Sequence, residues 1–561
     1  MSRPLRRVLT FATGVATALA AGPGFATVQA GVDQKFSEIN HIVVIYEENH
    51  SFDNLYGNWP GVNGRTNAAS ANTTQVDQNG VAFGCLQQLD VNLASPPQPV
   101  TCTDALHGIN SAFPNTYFTI DNYIGPNDTT CPQPHQEFSR PNGWVKGSGT
   151  PGGCTRDLVH EFYQEQYQLN GGQQNRYMSG SDSVGTTMGV YDSTALPIYA
   201  YLHQDGAPHY AIADDFFQSA FGGSFLNHQW LISAQTPEYP APPSNLRSII
   251  DSNGMPVNYP QYHATGPVQR GPITQACPSV VANRACGDYA VNTMQPPYQP
   301  SGTFGAKLVP QTHTTIGDEL SAAGVSWAWY AGGWSNADGD VNAPGWTNGT
   351  TFGVCSDPRA APNGSDAATG KWYCPDSTFQ FHHQPFNYYA NYAPGTPGRT
   401  HLQDEQAFLG LAGASGKTCQ LNSVSFIKPL GLENEHPGYA SEPNGSDHLV
   451  DLLQSIENSA CRKDTMVVVT YDEFGGQWDH VAPPGQGGTT GPHDLWGPGT
   501  RIPTLVISPR LRGDFVVDHT QHDTTSIIAT IEHRYGLAAL STRDAAVNDL
   551  SSVFSAQAVE T

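Results

Sequence analysis

The chain has 561 residues, of which 13% are charged and 10% are aromatic, and its formal net charge is −24. The length allows a large core, and the aromatic content excludes a disordered protein. The negative charge argues against nucleic acid as a partner, and it repels phosphate-bearing molecules unless a metal or histidines supply local cations.

The chain begins with a predicted secretory signal peptide, residues 1–30. Three arginines precede an apolar stretch that runs to about residue 21, and small residues suit cleavage after Ala26 or Ala30. The alternative is a membrane anchor, but the stretch is short for a membrane span and contains glycine. We therefore expect a secreted or periplasmic protein without stable membrane insertion.

The ten cysteines are even in number and fall along the chain as close neighbours. In an exported protein this arrangement favours five local disulfides across long loops, with free buried thiols as the alternative. No cysteine spacing suggests a zinc site. The predicted partners are Cys85 with Cys102, Cys131 with Cys154, Cys277 with Cys286, Cys355 with Cys374, and Cys419 with Cys461.

Apolar, β-branched runs predict the core strands, and amphipathic segments predict the helices. A short helix capped by Ser51 follows the first strand, residues 60–155 are loop-like, and a loop-rich insertion lies near 236–311. A further helix is capped by Asp523 and stopped by Gly536. The other predicted elements are strands at 41–46, 325–330, 423–430, 466–471 and 502–508, and helices at 157–177, 196–202 and 447–459.

Strands and helices alternate in the last third of the chain, which predicts an α/β fold with a mostly parallel central sheet flanked by helices. We expect residues 31–561 to form one domain. Two of the buried strands end in acidic residues, with Glu48 and Asn49 after the first and Asp472 and Glu473 after the second. Parallel strands present their carboxyl ends at one sheet edge, where clustered carboxylates would bind a divalent cation. The alternative is that these acidic residues only begin loops.

Ser224 is a candidate nucleophile because Gly222 and Gly223 deliver it to the start of an amphipathic segment. A serine at a helix N-terminus lies beside unpaired backbone N–H groups, which polarise a phosphoryl group. A nearby metal would make the hydroxyl more nucleophilic. The alternative is a plain helix N-cap.

Four histidines in turn-like settings could supply the remaining positive charge: His382, His383, His436 and His480. Imidazolium groups hold phosphate oxygens and protonate leaving alkoxides. With 20 histidines in the chain, each of the four also has an ordinary hydrogen-bonding role as its alternative.

Two long motifs carry a resemblance to a known family. The first is Glu48-Asn-His-Ser-Phe-Asp-Asn-Leu-Tyr-Gly57, which is similar to the E-N-x-S-F-D-x-x-x-G signature of bacterial phosphoesterases. The second is Tyr471-Asp-Glu-Phe-Gly-Gly-Gln-Trp-Asp-His-Val-Ala-Pro-Pro484, which resembles the Y-D-E-x-G-G-x-x-D-H-V-x-P-P signature. This family contains secreted acid phosphatases and phospholipases C, and the resemblance spans nearly the whole mature chain.

The resemblance implies an alkaline-phosphatase-like fold and a metal-assisted serine nucleophile. Ser224 would be both nucleophile and metal neighbour, and His383 and His436 would contact the phosphate. His382, Asn227 and His480 are further candidates for substrate binding. One departure concerns Glu473, where acid phosphatases of this family can have a second aspartate. The implied metal ligands are Glu48, Asn49, Asp472, Glu473 and Ser224.

The resulting hypothesis is a secreted phosphoric-ester hydrolase, an acid phosphatase that forms a phosphoserine intermediate. A phospholipase C that cleaves phosphatidylcholine-type diesters is the alternative within the same chemistry. A third alternative is an exported binding protein without turnover. Partners would be phosphorylated small molecules or phospholipid head groups. One divalent ion is expected, and its hard oxygen ligands favour Ca²⁺, Mg²⁺ or Mn²⁺ over thiolate-bound zinc.

Overall fold

A computed structural model describes most of the chain after residue 33, arranged around one large β-sheet. The predicted signal peptide and most of the predicted insertion near 236–311 lie outside the described residues. The described residues are 34–86, 114–122, 157–181, 184–246, 288–299, 305–357 and 371–559 without 439, together with short stretches between these ranges.

The central sheet has nine strands in the order β4-β3-β5-β1-β6-β7-β2-β8-β9. All run in the same direction except β7 and β9, which are antiparallel to their neighbours. The predicted α/β fold with a mostly parallel sheet is therefore confirmed. In chain order the strands are β1 His41–Glu47, β2 Tyr210–Ala213, β3 Trp327–Ala331, β4 Leu402–Asp404, β5 Val424–Lys428, β6 Thr465–Tyr471, β7 Thr504–Ile507, β8 Phe515–Asp518 and β9 Gln557–Ala558.

Helices cover both faces of the sheet. The Tyr46 hydroxyl on β1 donates to the Asn227 carbonyl in α5, so α5 lies on the face to which Tyr46 points. The next residue, Glu47, points to the other face, where α4, α8 and α9 pack together. The described α-helices are α1 Phe52–Leu55, α2 Ser70–Thr73, α3 Phe162–Leu169, α4 Pro197–Leu202, α5 Ser224–Ser233, α6 Ile316–Ala322, α7 Trp334–Asp338, α8 Glu405–Ala414, α9 Glu442–Glu457 and α10 Thr525–Tyr535.

The middle of the sheet is apolar on both sides, which is why its strands lack polar alternation. Strands β1 and β6 pair in register from His41 opposite Thr465 to Glu47 opposite Tyr471. All seven residues of β6 are buried, as are six of the seven in β1. The register places the residues that follow both strands side by side at one edge of the sheet.

Two of the five predicted disulfides are present, Cys355–Cys374 and Cys419–Cys461. Cys85 is also disulfide-bonded, while its predicted partner Cys102 lies outside the described residues. Each of the other two predicted pairs has a member outside the described residues as well, because positions 154 and 277 are not among them. None of the described helices has the length and apolarity that a membrane span requires.

Candidate active site

The acidic residues after β1 and β6 meet at one buried position. Glu48, Asn49, Asp472 and Glu473 are each at most 1% exposed. The backbone N–H of Asn49 donates to Asp472 Oδ1 at 3.2 Å, which joins the two strand ends. Asn49 has a φ of 57°, a left-handed conformation that asparagine adopts more readily than most residues. The structure therefore brings together the four predicted ligands that follow the two strands.

Ser224 is the first residue of α5 and faces this acidic group. Its Oγ donates to Glu48 Oε2 at 3.3 Å. Gly223 occupies the N-cap position and makes no side-chain cap, so Ser224 lies inside the first turn and does not cap the helix. The plain N-cap alternative is therefore wrong, and the hydroxyl is free of the capping bond that this alternative requires.

The turn before Ser224 is held by buried polar groups. Asn227 Oδ1 accepts from the backbone N–H of Ala220 at 2.9 Å, and its Nδ2 donates to the Gly222 carbonyl at 3.1 Å. Glu165 accepts from the Gly222 N–H at 2.6 Å. Asn227, predicted to bind substrate, is thus engaged in shaping the turn and is fully buried.

Three of the four predicted histidines lie at the site. His383 Nδ1 is 3.2 Å from Glu48 Oε1, and His436 Nε2 is 3.0 Å from Asn49 Nδ2. Because the amide nitrogen donates, His436 Nε2 accepts, and this bond turns Asn49 Oδ1 away from the imidazole. His382 lies beside His383, with 4.3 Å between ring centroids.

Burial keeps these imidazoles neutral in the absence of substrate. It lowers the pKa of His382 to about 3 and that of His436 to about 4, and nearby positive groups add to the shift for His382. Burial also lowers the pKa of His383 well below its ordinary value. Desolvation thus disfavours the charged form of these histidines, and their predicted role as phosphate-binding imidazolium groups would depend on the negative charge of the bound phosphate.

His480, the fourth predicted histidine, belongs to a different group. Its Nδ1 is 2.5 Å from Asp53 Oδ2, and the guanidinium of Arg501 contacts both Asp53 and Asp479 at 3.0 to 3.4 Å. His480 does not line the cavity beside Ser224. His480 lies in the second signature segment, and its role there is to take part in a buried ion-pair network that joins the two signature segments.

Three residues at the site carry no motif signal. Lys428, the last residue of β5, places Nζ 2.5 Å from Glu48 Oε1 and donates to the Tyr46 carbonyl at 2.8 Å. His160 Nε2 is 3.4 Å from Glu473 Oε1, and His228 stacks on His383 with 4.7 Å between centroids. Of these three residues, only Lys428 could have been suspected from the sequence, because a lysine at the end of a buried strand requires a partner of opposite charge.

A cavity of about 500 Å³ opens beside Ser224. Its wall includes three imidazoles and several other polar side chains, and apolar side chains are in the minority. A cavity of this size suits a small ligand with a polar group. The lining includes Ser224, His160, His382, His436, Gln164, Asn292, Thr293 and Gln380.

The charge balance and open oxygen atoms fit a divalent cation. Burial first, and repulsion from Asp472 second, raise the pKa of both Glu48 and Glu473. Burial also raises the pKa of Asp472. Asn49 Oδ1, Asp472 Oδ2 and Glu473 Oε1 are buried and accept no hydrogen bond from the described residues. Buried oxygens without donors are the ligands that hard cations require, so the residues present fit such an ion.

Sequence comparisons relate the chain to enzymes that act on phosphoric esters. A family model described as "Phosphoesterase family" matches residues 39–538. The chain is similar to phospholipase C A of Mycobacterium tuberculosis, with 25% identity over 551 residues that cover 92% of this chain and 77% of that protein. Non-specific phospholipase C6 of Arabidopsis thaliana is 31% identical over 137 residues, which cover 21% of this chain and 26% of that protein.

A solved structure of a protein in the alkaline phosphatase superfamily from Vibrio parahaemolyticus also matches. The match has a TM-score of 0.27 and 12% identity, and it covers 64% of this chain and 65% of that chain. This TM-score is low, so the family assignment rests on the sequence matches.

Proposed function

Because the chain belongs to the phosphoesterase family and is a hydrolase of phosphoric esters, we propose that it cleaves phosphomonoesters, with Ser224 as the nucleophile. The proposal rests on one observation. Ser224 Oγ lies in the wall of the cavity and bonds to Glu48, within a group of buried oxygens that fits a divalent cation.

Ser224 Oγ would attack phosphorus and form a phosphoserine, which water then hydrolyses. When bound, a divalent cation would lower the pKa of the hydroxyl and offset negative charge on the phosphoryl oxygens. Glu48, Asn49, Asp472 and Glu473 would hold that ion. No side chain caps the first turn of α5, so its N–H groups would add to the stabilisation of the same charge.

The histidines divide into two roles in this proposal. His382 and His436 line the cavity and are placed to contact the phosphate, whereas His383 packs behind them and orients Glu48. His160 is 20% exposed and lines the cavity, so we assign to it the proton transfer to the oxygen of the leaving group.

The assignment of His160 has a leaving-group test. In the variant His160→Gln, hydrolysis of an alkyl phosphate should slow by at least about 100-fold, because its alkoxide leaves only with a proton. Hydrolysis of p-nitrophenyl phosphate, whose leaving group needs little protonation, should slow far less. Equal losses on both substrates would assign His160 a structural role.

The polar lining favours a phosphomonoester over a lipid diester. Phospholipase C activity is the second candidate, and the names of the relatives support it. The purified protein should hydrolyse p-nitrophenyl phosphate faster than bis-p-nitrophenyl phosphate, and it should leave phosphatidylcholine vesicles intact. If phosphocholine were released from those vesicles faster than p-nitrophenyl phosphate is hydrolysed, the phospholipase would be favoured. No release of p-nitrophenol from either nitrophenyl ester and no release of phosphocholine from the vesicles would support the non-catalytic alternative.

We also propose that the protein is exported. Cys355–Cys374 and Cys419–Cys461 are disulfides, which persist in oxidising compartments. Sequencing the amino terminus of the protein from culture medium or periplasm should show a start at position 27 or 31. An uncleaved chain in the cytoplasmic fraction would contradict the proposal.

A further inference from the structure

A second group of metal-ligating side chains lies at the same edge of the sheet, on its other face. It consists of Glu405, Glu433 and His448, each of which offers a ligand atom within 4.8 Å of the other two. Glu405 begins α8 directly after β4, Glu433 follows β5, and His448 lies in α9. Three separate elements of the fold therefore converge on this position.

Buried oxygens without donors provide an independent observation. Glu405 is 2% exposed, and its Oε2 accepts no hydrogen bond from the described residues. The neighbouring Glu47 is fully buried, and neither of its carboxylate oxygens accepts a hydrogen bond there. Such atoms are costly unless an ion or a proton satisfies them.

The separations between the three side chains suit a shared ion. His448 Nε2 lies 3.1 Å from Glu405 Oε1 and 4.0 Å from Glu433 Oε2. The first distance is also that of an ion pair between His448 and Glu405, so a bound cation would replace the proton that the two groups share. Two ligands about 2.0 to 2.2 Å from one tetrahedral ion lie roughly 3.4 Å apart, between these two separations.

Charge balance separates this group from a similar one elsewhere. Asp53, Asp479 and His480 also converge, but Arg501 lies within 3.0 to 3.4 Å of both carboxylates and neutralises them. Among the described residues, Lys428 at the end of β5 is bound to Glu48, and His448 interacts with Glu405, Glu433 and Glu47. One imidazole therefore faces several carboxylates.

We propose that Glu405, Glu433 and His448 bind a second divalent cation, distinct from the one at Ser224. One imidazole nitrogen with carboxylate oxygens suits a borderline ion such as Zn²⁺ better than Ca²⁺. Glu433 precedes His436 by three residues, and His436 bonds to Asn49 at the first site. The second ion would fix the loop that carries His436, and so it would support the active site through structure.

The test is zinc binding by the full mature protein after its metals have been removed with a chelator. We expect equilibrium dialysis and elemental analysis to show one Zn²⁺ fewer in Glu405→Gln and in His448→Gln than in the parent. Affinity for that ion should fall by at least about 100-fold. If His448→Gln does not fold, the nearly isosteric Glu405→Gln still decides the question.

His533→Gln is a matched control, because the ion-pair partner of His533 among the described residues is Asp549, at 2.5 Å. This variant should bind as much zinc as the parent. Asp472→Asn disables the first site, so an ion that remains in this variant belongs to the second site. Equal zinc content in the parent and in Glu405→Gln would overturn the proposal, whatever the outcome at Ser224.

Discussion

At the level of single residues, the carboxylates around Ser224 are held by few positive groups. Glu48 has Lys428 as its positive partner, the His383 imidazole lies 3.2 Å from Glu48, and Asp472 accepts from the Asn49 backbone. An uncompensated cluster of this kind would repel itself in a buried setting, and a bound divalent cation removes that repulsion.

Asp472→Asn should therefore remove the ion while keeping the fold. The amide oxygen can still accept from the Asn49 N–H, and the volume is nearly unchanged. We expect metal affinity and kcat each to fall by at least about 100-fold, measured by elemental analysis and initial rates. Asp376→Asn is the control, since Asp376 is buried but bonds to Thr378. Full metal content and full turnover in Asp472→Asn would exclude Asp472 as a ligand.

The sequence alone predicts those site residues that directly follow a buried strand. Glu48 and Asp472 could be placed together because each ends an apolar run, and parallel strands end at one edge. Lys428, His160 and His228 could not, because their contacts depend on how distant segments pack. Lys428 meets Glu48 across 380 positions of sequence, and no local pattern encodes that approach.

At the level of elements, the turn into α5 fixes where Ser224 lies. Gly222 has a φ of 85°, and a Cβ there would lie 2.6 Å from the backbone nitrogen of Phe162. Both features favour glycine, since other residues are strained at positive φ and the space is filled by backbone.

Gly222→Ala should therefore displace Ser224. We expect a loss of about 2 to 4 kcal/mol in the free energy of unfolding and a fall in kcat of about 100-fold. Gly206→Ala is the matched control, because Gly206 has a φ of 77° but no atom near its added Cβ. The control should lose about 1 kcal/mol and keep its activity. Similar activity losses in both variants would show that the contact with Phe162 is unimportant.

Strands were predicted more closely than helices, for physical reasons. The predicted strand at 466–471 corresponds to β6, because a buried run of β-branched residues rarely forms anything but a strand. The predicted helix at 157–177 is only Phe162–Leu169. Asn170 takes a φ of 46° and Gly171 a φ of 61°, which ends the helix before the apolar pattern does. The predicted helix at 447–459 begins earlier, at Glu442, where Ser441 caps it.

At the level of the whole molecule, buried acids make stability depend on pH. Burial, with repulsion from Glu435, raises the pKa of Glu442 to about 8. In the unfolded chain this carboxyl ionises near 4.5. The folded state therefore binds the proton more tightly, so Glu442 lowers stability progressively as pH rises from about 4.5 to about 8.

Glu442→Gln should flatten part of this dependence. Thermal unfolding at pH 5 and at pH 8 should show a smaller fall in Tm for the variant than for the parent. Glu238→Gln, at an exposed position, serves as the control and should follow the parent. A fall in Tm as large as that of the parent would contradict the account, because it would mean that folding does not raise the pKa of Glu442.

The central claim is that Ser224 forms a covalent bond to phosphorus, and Ser224→Ala tests it most directly. We expect kcat on p-nitrophenyl phosphate to fall by at least about a thousandfold, or roughly 4 kcal/mol, with the fold retained. Ser233→Ala, at the other end of α5, should keep the parent rate, since its hydroxyl bonds to the Gln229 carbonyl. Acid quench of the parent during turnover should yield a phosphorylated peptide that contains Ser224. A near-parent rate in Ser224→Ala, without that phosphopeptide, would contradict the account and assign the attack to water.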